Sequence, residues 1–279
     1  MTTLTCGRFA LDLTRPRIMA IINTTPDSFS GDGLANDLDR ALARAEQALA
    51  EGAEILDIGG ESSRPGSEPV SEQQELDRVM PLLEHLVGGP VPVSIDTVKP
   101  GVMRAALAAG ASMINDINGF RAEGAVEAVA PGNAALCVMH MQGEPRTMQA
   151  DPRYDDVVSE VRDFLHARVA VLSDAGVADN RILFDPGFGF GKTIEHNLAM
   201  LRDIGRFGER GFPVLAGLSR KSLLGVLTGR PMGERTIASV VSALIAVQRG
   251  ARILRVHDVA PTRDALKVWA AVEGWSYPV

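Results

Sequence analysis

Eight short apolar runs constrain this chain more than any other feature, because each ends on or beside a polar or ionisable residue and each is followed by a helical stretch. The runs cover 18–22, 54–58, 91–95, 112–114, 135–139, 182–184, 213–218 and 252–256. Apolar runs of this length, bounded by turn residues, are the mark of strands buried on both faces. The stretches between them carry the 3.6-residue period of amphipathic helices. Leu38, Ala41, Leu42, Ala45 and Leu49 share one face behind the first run, with Asn36 or Asp37 placed to cap. Leu76, Val79, Met80, Leu83 and Leu86 follow the second, opened by a capping box of Ser71 and Gln74. Further helices are expected over 101–109, 124–130, 157–172, 198–207 and 234–248, and Pro261 is placed to open a last one. No linker or shift of composition divides the pattern. It predicts one domain spanning 1–279, a single (β/α)8 TIM barrel, with an open doubly wound sheet as the competing topology. Leu4-Thr5-Cys6 and Phe9-Ala10-Leu11 flank Gly7-Arg8 and predict an N-terminal β-hairpin ahead of it.

A barrel of this kind builds its site at the C-terminal ends of its strands. The residues expected there are Asn23, Asp57, Asp96, Asn115, His140, Asp185, Ser219 to Lys221, and Arg255 with His257. One strand end stands out: Phe184-Asp185-Pro186-Gly187-Phe188-Gly189-Phe190-Gly191-Lys192. It resembles two phosphate motifs and satisfies neither. A P-loop needs glycine at Pro186, and a dinucleotide fingerprint needs glycine at Lys192. It is a strand-end loop that carries an acid, whose glycines allow close backbone approach and whose phenylalanines offer ring faces.

Sorted by charge, the ring divides into two sets. Arg64, Lys221, Arg255 and His257 seek anions, and Arg255 and His257 alternate along one strand, so they point to one face. Asn23 offers a carbonyl suited to Mg²⁺. This set suits a pyrophosphate. Asp96, Asn115 and Asp185 are rich in acceptors and suit a flat heterocycle with adjacent N–H donors, such as an aminopyrimidinone. No His-x-His or His-Glu-x-x-His spacing supports a zinc hydrolase. The opening of the helix after the seventh strand, with Ser219 as N-cap and Ser222 about one turn in, is a candidate seat for a carboxylate, flanked by Lys221 and Phe190.

The net charge of −7 argues against general binding to nucleic acid or membrane surfaces. The two cysteines, Cys6 and Cys137, make neither a disulfide framework nor a zinc spacing, and Cys137 is expected to be a buried thiol. No signal peptide or membrane-length apolar run is evident, so the expected compartment is the cytoplasm.

Ordered motifs along nearly the whole chain resemble the dihydropteroate synthase family of the folate pathway. They are Ile22-Asn23-Thr24-Thr25-Pro26-Asp27-Ser28-Phe29-Ser30, Asp57-Ile58-Gly59-Gly60-Glu61-Ser62-Ser63-Arg64-Pro65-Gly66, and Ser94-Ile95-Asp96-Thr97. Ile114-Asn115-Asp116, Met139-His140-Met141-Gln142-Gly143, Ser219-Arg220-Lys221-Ser222 and Arg255-Val256-His257-Asp258 complete the set. The resemblance implies a (β/α)8 barrel that joins 6-hydroxymethyl-7,8-dihydropterin pyrophosphate to 4-aminobenzoate with Mg²⁺. It implies that Asp96, Asn115, Asp185 and Lys221 hold the pterin beside Met139 and Phe190, with Arg255 against it. It implies that Asn23, Ser63, Arg64 and His257 bind pyrophosphate, Asn23 with the Mg²⁺. Asp96, Asp185, Lys221 and Arg255 would carry catalysis, and a homodimer is expected. The chain departs from the family pattern at Thr24, usually Val, at Ser63, usually Thr, and at Gly31-Asp32-Gly33, usually Asp-Gly-Gly. The loops 24–36 and 61–70 are expected to order over pyrophosphate, with Phe29 closing on substrate. Two alternatives stand beside this reading: a pterin-binding corrinoid methyltransferase and a non-catalytic synthase-like paralogue.

Overall fold

The computed structural model describes residues 2–24, 34–62 and 67–277. It opens with the expected hairpin, β1 (Thr3–Cys6) paired antiparallel with β2 (Phe9–Asp12), turned at Gly7 with φ near 60°. Eight parallel strands follow: β3 (Arg17–Asn23), β4 (Ile55–Gly59), β5 (Val93–Asp96), β6 (Met113–Asp116), β7 (Ala135–Met139), β8 (Ile182–Asp185), β9 (Leu215–Ala216) and β10 (Ile253–Val256). They pair in the order β8-β7-β6-β5-β4-β3-β10-β9. A bridge between Phe184 and Val214 joins the two ends of that order and closes the (β/α)8 barrel. The intervening helices are α1 (Leu34–Glu51), α2 (Glu72–Leu86), α3 (Pro100–Ala108), α4 (Ala125–Val129), α5 (Val157–Asp174), α6 (Ile194–Arg202), α7 (Ser222–Thr228), α8 (Thr236–Gln248) and α9 (Val259–Val272).

The two-residue period of the strands sorts side chains between two cores. Ile18, Ala20, Leu56, Ile58, Leu136 and Phe184 face outward and pack with apolar residues of the helices. Met19, Ile55, Met113, Ala135, Leu183, Leu215 and Ile253 face the barrel axis and cluster with Leu4, Cys6, Leu11 and Leu13 of the hairpin. The hairpin therefore fills one end of the barrel. Two residues further along the chain from this inner layer stand Ile21, Asp57, Asn115, Cys137, Asp185, Gly217 and Arg255, four of them polar or charged. The same alternation that fills the lower barrel with methyl groups thus brings polar groups to the other end.

Several element ends differ from the sequence reading. The seventh barrel strand is Leu215–Ala216, not 213–218, because Val214 makes only a bridge to Phe184. Helix α1 already begins at Leu34, so Asn36 and Asp37 lie inside its first turn. Helix α6 starts at Ile194 rather than 198, since Thr193 and His196 form a capping box there; histidine is not the usual partner in that role. Helix α9 begins at Val259, ahead of Pro261. The capping box of Ser71 and Gln74 is present as expected. Cys6 and Cys137 are both buried free thiols, and burial pushes Cys6 up to about 12.

Candidate active site

A cavity of about 460 Å³ opens where the strands deliver their polar ends. Asn23, Asp96, Asn115, Met139, Asp185, Phe190, Ser219, Lys221, Ser222, Arg255 and His257 all line it. Ser63, Arg64 and Phe29 lie outside the described residues. A neighbouring cavity of about 610 Å³ shares Glu61, Ser62, Asp96 and Ile117 with the first.

Arg255 forms the charged centre. Its Nε donates to Asp57 Oδ2 at 2.6 Å and its Nη2 to Asp96 Oδ2 at 2.8 Å. Burial works to lower the guanidinium, and Asp57, Asp96 and Asp185 more than offset it, for a net upward shift. Burial raises the Asp96 carboxyl to about 7; Arg255 pulls the other way, and Asp57, Glu75 and Asp116 add to the rise. Asp185 is also raised by burial, against Lys221 and the Gly187 N–H, which donates to its Oδ1 at 2.7 Å. Lys221 is lowered to about 8 by burial, with Asp185 opposing. Its ammonium donates to the Phe188 carbonyl and sits 4.5 Å from the centre of the Phe190 ring.

The loop after β8 owes its path to glycine. Gly187, at φ +72°, passes so near β7 that a Cβ there would lie 1.9 Å from the His140 carbonyl oxygen. Gly189 brings its backbone against the Lys221 stem, where a Cβ would lie 3.2 Å from Cδ. Phe190 lines the cavity, but Phe188 is fully buried and packs in the outer core, so it offers no face to a ligand. Lys192 also turns inward. Its Nζ donates to the Phe190 carbonyl at 2.9 Å and lies 3.0 Å from His140 Nδ1.

Three expectations for the ring need correction. His140 is not at the cavity. It is held between Lys192 and the edge of Phe164, and burial pushes it down to about 2. Ser219 is not the N-cap of α7; that position is Lys221, with no side-chain cap. The Ser219 hydroxyl instead lies 3.0 Å from His257 Nδ1 and accepts from the His257 backbone N–H, fixing the imidazole at the cavity wall. Asp57, the third, is fully buried and lies behind Arg255 instead of lining the cavity. Asp116, next to Asn115, accepts from the N–H groups of Asn118 and Phe120, both at 2.7 Å, and shapes the following turn. Thr24 donates both its N–H and its hydroxyl to the Gly59 carbonyl, extending the β3–β4 pairing by one residue.

The described residues hold no group of three or more His, Cys, Asp or Glu side chains able to cage a metal. They do place two hard oxygens on either side of Gly59. A Cβ on that residue would lie 3.7 Å from Asn23 Oδ1 and 4.0 Å from Asp96 Oδ2. Asp96 Oδ2 is engaged by Arg255, which leaves Asn23 Oδ1 as the oxygen suited to Mg²⁺, an ion that keeps most of its waters and takes other ligands from phosphates.

A family model described as pterin binding enzyme matches residues 19–257. The dihydropteroate synthase of Neisseria meningitidis serogroup B is 51% identical over 273 residues, covering 95% of this chain and 96% of its own. The chain belongs to the dihydropteroate synthase family. A crystal structure of the Burkholderia cenocepacia family member complexed with 7,8-dihydropteroate is 56% identical, with a TM-score of 0.90 over 98% of this chain and 96% of that one. The Xanthomonas albilineans dihydropteroate synthase with 4-aminobenzoic acid is 49% identical, with a TM-score of 0.92 over 99% of both chains. The barrel and hairpin are therefore those of the dihydropteroate synthase family, and the polar ring lies at the end where such barrels work.

Proposed function

We infer that the protein condenses 6-hydroxymethyl-7,8-dihydropterin pyrophosphate with 4-aminobenzoate, giving 7,8-dihydropteroate and pyrophosphate. The observation that carries this reading is the convergence of Asp96, Asn115 and Asp185 with Lys221 and Arg255 on one cavity. The carboxylates and the amide accept from the amino and ring N–H groups of the pterin, while Met139 and Phe190 contact its faces. Arg255 and His257 face the phosphates, with Ser63 and Arg64 as further ligands from the loop that follows β4.

The chemistry follows from the charges. The methylene C–O bond breaks, its electron pair leaves with pyrophosphate, and the methylene carbon becomes cationic in conjugation with the pterin. Asp96 and Asp185 stabilise that cation, and Arg255 and His257 the departing anion. The amine nitrogen of 4-aminobenzoate then bonds to the methylene carbon and releases a proton. An arylamine is neutral near neutral pH, so no strong base is needed. Asn23 would hold Mg²⁺, which when bound supplies positive charge to the pyrophosphate. Ser222, exposed at the first turn of α7, and Lys221 flank the place proposed for the 4-aminobenzoate carboxylate.

The direct test is release of pyrophosphate that requires both substrates and the formation of dihydropteroate. Binding of the pterin pyrophosphate with neither product formed would favour a non-catalytic paralogue. A corrinoid methyltransferase would have no use for His257 beside Arg255 on the pterin cavity.

A pH dependence follows from Asp96. Its carboxyl is shifted upward to about 7, so it protonates on acidification well before an ordinary carboxyl. Protonation removes an acceptor the pterin N–H groups need. Affinity for a phosphate-free pterin should therefore fall as pH drops through that value, by up to ~10-fold per pH unit. Calorimetry across roughly pH 5 to 8 checks this; a flat profile would mean that Asp96 does not contact the ring.

We further propose a homodimer. Val226 and Leu227 on α7, Ile237 and Val241 on α8, and Val268 and Val272 on α9 leave apolar side chains exposed. Successive helices of this set touch one another, as a self-complementary face requires. One barrel supplies every described site residue, in keeping with a single domain. No helix among the described residues is long and apolar enough to cross a membrane. The two free, buried thiols fit the reducing cytoplasm, where we place the protein.

A further inference from the structure

We propose that Asp57 is a positioning residue for the pterin cavity, holding Arg255 and Asn115 in place while Asp96 is given over to the substrate. This rests on the functional reading above.

Asp57 is fully buried and does not line the cavity, so it cannot touch a ligand there. Its two partners do line it. Asp57 Oδ2 accepts from Arg255 Nε at 2.6 Å and from Asn115 Nδ2 at 3.3 Å. One oxygen thus orients both a cation and an amide that face the pterin. Its other oxygen, Oδ1, is buried with no hydrogen-bond partner. Without Asp57 the Arg255 guanidinium would have only Asp96 as an ion-pair partner, and Asp96 faces the cavity.

Arg255 has a second carboxylate partner, Asp96, at 2.8 Å. The two are not equivalent: the Asp96 side chain is 17% exposed at the cavity, and that of Asp57 is 0% exposed. A pterin N–H donated to Asp96 leaves that carboxylate its charge but shares its oxygens between the ligand and the guanidinium. Asp57 holds the guanidinium from behind, through Nε, whichever way Asp96 turns toward the ligand. The strand pattern places it there. Asp57 stands two residues beyond the core residue Ile55 on β4, as Arg255 stands two beyond Ile253 on β10, so both point into one layer of the barrel.

The test is a double-mutant cycle read by calorimetry with 6-hydroxymethylpterin, using the full chain. Asp57→Asn keeps the shape and an acceptor but removes the charge. It is expected to weaken pterin binding about tenfold in the wild-type background. In an Arg255→Met background the same substitution is expected to change affinity only about threefold or less, because its main partner is gone and only its hold on Asn115 remains. Equal losses in both backgrounds would overturn the proposal, as would wild-type affinity in Asp57→Asn. Thermal melts accompany each variant; if Asp57→Asn does not fold, Asp57→Ser, which leaves room for a water, takes its place in the cycle. A wild-type chain that does not bind the pterin would instead overturn the functional reading itself.

Discussion

Asp185→Asn is expected to abolish turnover and to weaken binding of a pterin analogue by about 100-fold or more. Asp185 is 5% exposed at the end of β8, and one of its oxygens is already occupied by the Gly187 N–H. The other is left for the ligand. An amide in its place either turns an N–H toward the N–H donors of the pterin or loses the bond that shapes the loop. It also removes the carboxylate that balances Lys221. Each hydrogen bond to a charged group is worth about 1.5–3 kcal/mol, and each 1.4 kcal/mol is about tenfold in affinity. Calorimetry with a pterin analogue gives the answer, and unchanged affinity would remove Asp185 from the binding site.

Gly187→Ala is expected to lose both activity and stability. The residue sits at φ +72°, where any Cβ is strained, and that Cβ would stand 1.9 Å from one backbone atom of His140 and 3.0 Å from another. Backbone cannot swing aside as a side-chain tip can, so the loop must move away from β7. That movement would also disturb the contact of Lys192 with His140. The expected loss is ~3–5 kcal/mol, at the upper end for single substitutions, and a fall in melting temperature of about 10 °C or more. Gly176→Ala is the control: its φ is +87°, but a Cβ there meets nothing within 4 Å. Only the left-handed strain, about 1–2 kcal/mol, should appear. Equal melting temperatures for the two variants would show that the close approach at Gly187 carries no weight.

The barrel was legible in the sequence because its evidence is redundant. Eight buried strands and their helices repeat one pattern, and an error at one end of one element leaves the count unchanged. The candidate site was legible because a parallel strand that ends in Asp, Asn or Arg has few places to put that group except the end of the barrel. His140 shows the limit of that rule. It follows β7 directly, but the left-handed glycine at 187 brings its carbonyl against the next loop, and the ring turns toward Lys192. No local spacing encodes a contact made 52 residues away. Ser219 failed as a cap for a related reason: Arg220 adopts φ 57°, which delays the helix and leaves the hydroxyl facing His257. The pairing of Asp57 with Arg255 spans 198 residues, and only the closed barrel brings them together.

The short β9 gives the barrel a seam. Every other neighbouring pair in the ring is aligned over three to five residues, whereas β9 holds β10 through two and meets β8 through a single bridge. The hoop of hydrogen bonds that resists radial opening is thinnest there. Asp185 stands on one side of that seam, and Ser219 and Lys221 on the other. A ligand that touches both sides acts as a cross-brace, adding hoop strength where the backbone supplies least. An empty barrel and a filled one would then differ in stiffness at this one joint, and substrate would complete the cylinder that holds it.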